Sequence, residues 1–136
     1  MPPQKSAKTL TAVPTPAATA PPDASTPATL ASPDTIAAYR ALYDTLGRAY
    51  WEASDINAKD TIQGARDAIY DILTDLNIAQ LQANTALFLA LIPRVRQTNV
   101  ALGKIKDDIG SITKNINTAS SVIASIAKIV SIVGKI

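Results

Sequence analysis

The sequence contains neither cysteine nor histidine. Without Cys there are no disulfides, no thiolate nucleophile and no zinc–thiolate site. Without His the chain lacks the commonest general base and the commonest metal ligand. Glu52 is the sole glutamate, so the acids are almost all Asp. The only carboxylate groupings are Asp67, Asp71 and Asp75 along one helix face, and the adjacent pair Asp107 and Asp108. Both fall on polar faces, whereas acid–base or metal chemistry needs groups converging in a pocket. Glycine is also scarce, and GKIKDDIG lacks the spacing of a phosphate-binding loop. No catalytic, cofactor or metal site is expected. Aromatics make up only 4% of the chain, so aliphatic side chains must do most of the packing.

Charge of one sign is scarce too. The net charge is +2 and the pI near 9.0, well short of the dense basic patch that a phosphate backbone attracts. A nucleic-acid partner is therefore not expected. The opening MPPQKSAKTL lacks the apolar stretch of a secretory signal. No run of residues is both charge-free and uniformly apolar over a span's length, and Lys128 at mid-span would cost about 3 kcal/mol. These features suggest no transmembrane helix, and either a cytoplasmic location or export by a signal-peptide-independent route.

What is present is a helical pattern behind a proline-rich start. Residues 1–33 hold eight of the nine prolines, among Ala, Thr and Ser. They should form a disordered tail, because they cannot bury enough to offset the ordering entropy. From Pro33 the period changes. Ile36, Tyr39, Tyr43, Leu46 and Tyr50 share a face of a helix expected over about 34–54, capped by Ser32 or Asp34. Arg40, Asp44, Arg48 and Glu52 form a solvated row of alternating sign. The Tyr39, Tyr43, Tyr50 and Trp51 group reads as packing first and as a ligand-stacking or interfacial patch second. A joint with good N-cap residues (Ser54, Asp55, Asn57) leads to a second helix over about 58–92. Its seam is Ile62, Ala65, Ile69, Ile72, Leu76, Ala79, Ala83, Ala86 and Ala90. Pro93 then marks a turn within IPRVRQTN, with Thr98 or Asn99 as cap. The alternative is a kink in one long rod.

The last helix, over about 97–134, carries the strongest signal. Leu102, Ile105, Ile109, Ile112, Ile116, Ala119, Ile123, Ile126, Val130 and Val133 alternate three and four apart, which is a heptad seam. Beyond Ala119 the stripe widens, as Val122, Ile129, Ile132 and Ile136 flank it. Burying those four is worth roughly 6–12 kcal/mol as an upper bound, so they should meet a second neighbour. An acidic second helix beside a basic third suggests an antiparallel pairing.

The expected fold is all-α, a long coiled-coil-like antiparallel helical hairpin with a shorter N-terminal helix across it. The expected function is non-catalytic self-association or binding of another helical protein. The interaction seam is Ile105, Ile109, Ile112, Ile116, Ile123, Ile126, Val130 and Val133. The alternative is membrane activity, as a pore-forming component or lipid-surface binder. Its insertion face would be Val122, Ile129, Ile132 and Ile136 on the amphipathic end of the chain.

Overall fold

The computed structural model of the chain describes residues 29–134. The expected tail lies largely outside them, as do Lys135 and Ile136. The chain is all-α. In place of three helices, the described residues after Ser32 form four: α1 (Pro33–Trp51), α2 (Ile56–Gln82), α3 (Thr85–Ile112) and α4 (Ile116–Val133). They make a four-helix bundle in which α1 packs against α2 and α4, α2 against α3, and α3 against α4. Thus α1 does not cross the α2–α3 pair. It fills the corner between α2 and α4, and Tyr39, Leu42, Leu46 and Ala49 are fully buried. Leu30, read from the sequence as an isolated tail residue, belongs to a helical turn at 29–31 and is also fully buried.

Local chemistry explains each helix start. Ser32 caps α1, accepting from the Asp34 N–H at 3.2 Å, with Pro33 in the first turn. There its missing N–H costs nothing. Asp55 caps α2 by accepting from the Ala58 N–H at 2.8 Å. Asn84 caps α3, accepting from the N–H groups of Ala86 and Leu87. Asn115 caps α4, accepting from those of Asn117 and Thr118. Each cap satisfies donors that the first helical turn leaves without partners.

Two corrections follow for the helix boundaries. The reversal between α2 and α3 falls at Ala83–Asn84, with Ala83 left-handed at φ 49°, and not at Pro93. Pro93 lies inside α3 and is exposed. Pro93 has no N–H to donate to the preceding turn, and the helix nevertheless runs on through it. The seam residues Ala83, Ala86 and Ala90 are correspondingly exposed. The second correction is a break at 113–115. Here the Ser54 N–H donates to the Ile112 carbonyl and the Ser54 hydroxyl to the Ser111 carbonyl, both at 2.8 Å. Ala53 and Thr113 form an isolated antiparallel bridge. The α1–α2 and α3–α4 connections are thereby tied together at one end of the bundle.

The core runs the length of the bundle. Helix α2 contributes Ile62, Ile69, Ile72 and Leu76, and α3 contributes Leu91, Val95, Leu102 and Ile105. Two cations of α2 turn towards α1. Arg66 donates from Nε to the Tyr43 carbonyl at 3.2 Å and lies 4.0 Å from the Tyr43 ring centroid. Gly47 makes room for it: a Cβ at that position would sit 3.0 Å from Arg66 Nη2. Lys59 donates to the Tyr50 carbonyl at 2.8 Å and stands over the Tyr50 ring. Across the α2–α3 seam, Arg94 pairs with Asp75.

Candidate interaction surface

Helix α4 is where the expected seam and the molecule part company. Up to Ile112 the seam points inward, and Ile105, Ile109 and Ile112 are buried. After the break the helix restarts with another face inward: Thr118, Val122, Ile126, Ile129 and Val133 are buried. Val122 and Ile129, expected on a second-partner or membrane face, are therefore core residues. Ile132 is half-buried against the core and Ile136 lies outside the described residues. Ile126 and Val133 keep their inward positions. Ile116, Ile123 and Val130 are turned out, at 80%, 39% and 40% exposure.

These three residues, seven apart, line one edge of α4. Beside them a groove of about 470 Å³ opens between α3 and α4. Asn99, Gly103 and Lys106 line it from α3, and Ile126, Ala127 and Val130 are among its α4 walls. On the α3 side Gly103 leaves the groove open: a Cβ built there would meet nothing within 4 Å. The side-chain oxygen of Asn99 is buried without a hydrogen-bond partner. The sequence carries one signal for this gap, a glycine at 103 within a strongly periodic helix.

Helix α4 is also apolar enough and long enough to cross a membrane by length and composition, with Lys128 as its one charge. Demanding a charge-free run hid this in the sequence. Its buried share, 28% of the helix, is like that of α2 and α3, so composition and not burial sets α4 apart.

The remaining aromatic residues divide. Tyr39 is in the core with its hydroxyl unpartnered, and burial pushes that hydroxyl's pKa well above the usual tyrosine value. Tyr43 and Tyr50 are half-buried, and Trp51 is exposed. Asp67, Asp71, Asp107 and Asp108 are exposed. Among the described residues no group of three or more His, Cys, Asp or Glu side chains could hold a metal ion. Compared with protein-family models, curated proteins and solved structures, the chain matches none.

Proposed function

We propose that this is a non-catalytic assembly protein, which associates with helical partners through the outer edge of α4 and the α3/α4 groove. The observation that supports this reading is the outward row of Ile116, Ile123 and Val130. Heptad-spaced aliphatic residues on a helix edge are the pattern of a coiled-coil-like contact. The open groove beside them can accept a second helix laid along it. Covering the three exposed side chains is worth about 3–5 kcal/mol before any cost of association. By itself that supports no better than about millimolar association, so the groove must supply the rest of the contact. Sedimentation of the full chain tests this: the mass should rise above 14.3 kDa with concentration, and Ile123→Asp should abolish the rise while helix content is unchanged. A chain that stays at monomer mass throughout contradicts the reading.

The second reading is lipid-surface binding by α4, favoured by its apolar composition and its outward aliphatic row. A helix apolar on both sides is otherwise found inside large cores or in membranes. Co-sedimentation with vesicles of neutral and of anionic lipid separates the two readings. Vesicle binding by a chain that remains monomeric without lipid supports the second.

A further inference from the structure

The α4 edge is too small to hold two copies together by itself, so the complementary surface must bring something more. We infer that the occupant of the α3/α4 groove is the outer face of α2 from a second copy of this chain, so that copies join head to tail. This rests on the assembly reading above and specifies its geometry.

The argument is one of charge. Helix α2 carries Asp60, Asp67, Asp71 and Asp75 against Lys59 and Arg66. Both cations are turned to α1, where they meet the Tyr50 and Tyr43 carbonyls and rings. Asp75 is taken by Arg94. Intramolecular pairing thus strips the outer face of its positive charge and leaves Asp60, Asp67 and Asp71 exposed on it. Tyr70 is exposed among these acids, on the side where its ring meets Tyr43, and Ile78 and Leu81 are exposed towards the α2 end. The opposite balance holds across α3 and α4. With Arg94 held by Asp75, the stretch from Gln97 to Val133 carries four lysines against Asp107 and Asp108. Lys106 lines the groove itself. An acidic face with apolar residues beside it and an apolar groove whose one charged lining residue is Lys106 are complementary in both respects, which favours this register over like-charged pairings.

The arrangement also sets the symmetry. Helix α2 packs against α1 and α3, and the groove lies between α3 and α4. A chain cannot fill its own groove with its own α2. The two surfaces differ, so the contact is heterologous, and each added copy presents a fresh groove or a fresh α2 face. Growth should continue with concentration and should weaken with salt, since exposed charges are screened beyond about 8 Å at physiological ionic strength.

Two full-length variants test this. The first, Asp67→Lys with Asp71→Lys, spoils the α2 face and keeps the groove. The second, Gly103→Gln with Lys106→Gln, plugs the groove and keeps the α2 face; Gly103 has the space to accept a side chain. Each alone should stay at 14.3 kDa with wild-type helix content. Mixed, they should form a one-to-one complex of twice that mass that grows no further. If the α2 variant assembles as the wild type does, copies associate by some other face and the head-to-tail geometry is wrong. A mixture that stays monomeric overturns it as well. Wild-type protein that remains monomeric at every concentration removes both this inference and the assembly reading beneath it.

Discussion

Helices α2 and α4 stand at opposite corners of the bundle and use their residues in opposite ways. Helix α2 buries one aliphatic face, Ile62 through Ala79, and turns charged residues outward. Helix α4 buries Val122, Ile126, Ile129 and Val133, yet its other side still carries Ile116, Ile123 and Val130 with Lys128 as the one charge. Both helices leave apolar residues outside, but α2 sets Tyr70, Ile78 and Leu81 beside a row of acids, whereas α4 sets its aliphatic row beside a single lysine. Apolar surface that the fold leaves unused is where a partner or a lipid surface gains affinity. Charge sharpens the contrast, because α2 becomes an anionic exterior by spending its cations inward.

Substitutions that place a charge on each face give the largest expected effect. Leu76→Asp in α2 and Ile126→Asp in α4 bury an unpaired carboxylate, and each should cost about 3–5 kcal/mol, enough to unfold a domain of ordinary stability. Ile78→Asp and Ile123→Asp, at exposed positions, should stay within about 1 kcal/mol of wild type in urea unfolding. Equal damage from Ile123→Asp and Ile126→Asp would mean that α4 does not have the face assigned to it.

The next effect separates the cations of the two helices. Arg66→Ala removes a hydrogen bond to the Tyr43 carbonyl and a guanidinium stacked on the Tyr43 ring, a loss of about 1–2 kcal/mol. Lys128→Ala, on the exposed side of α4, should leave stability unchanged. A similar loss at both would show that the cations of α2 are not preferentially engaged by α1.

Helix α1 touches both corners, and Tyr39 is its most enclosed polar group. Removing an unpartnered hydroxyl by Tyr39→Phe should be neutral or stabilising by up to about 1 kcal/mol. The pH dependence is more diagnostic. Tyr39 ionises at higher pH in the folded chain than in the unfolded one, so the unfolded state releases its proton first as pH rises. Wild-type stability should therefore fall above about pH 10, by as much as 1.4 kcal/mol per pH unit, and the Phe variant should lack that component. Parallel pH profiles for the two proteins would mean that the hydroxyl is hydrated.

How much of this was legible in the sequence depended on chain continuity. Within an uninterrupted helix the aliphatic spacing identified the buried face well: Ile62 to Ala79 in α2 and Leu102 to Ile112 in α3 are buried as their period implied. Ser32 and Asp55 were recognisable as caps because a composition change accompanied them. Asn84 and Asn115 were not, since apolar residues happened to keep a three-and-four rhythm across each break. Ile112 and Ile116 are four apart in number, but residues 113–115 are not helical, so the angular phase is lost between them. The inward face after the break is therefore rotated from the one the period implied: Ile116, Ile123 and Val130 were assigned inward and Val122 and Ile129 outward, and only Ile126 and Val133 fall on both faces. The groove depends on what glycine leaves empty beside another helix, and that is set by packing rather than by period.

The smallest effect distinguishes one helix from two by its sign. If residues 97–134 formed a single rod, Asn115 would be a helix-interior residue, and Asn115→Ala would raise helix propensity by roughly 0.5 kcal/mol. With α4 beginning at Ile116, the same change removes acceptors for the Asn117 and Thr118 N–H groups and a contact from Asn115 to Glu52, and it should cost about 1 kcal/mol. Asp55→Ala is the matching change at the start of α2, where the cap is not in dispute, and supplies the scale. Thermal or urea unfolding in which the two variants are destabilised alike places α4 as a helix of its own, with its own face. An Asn115→Ala protein more stable than wild type would restore the continuous seam and put Ile116, Ile123 and Val130 back inside.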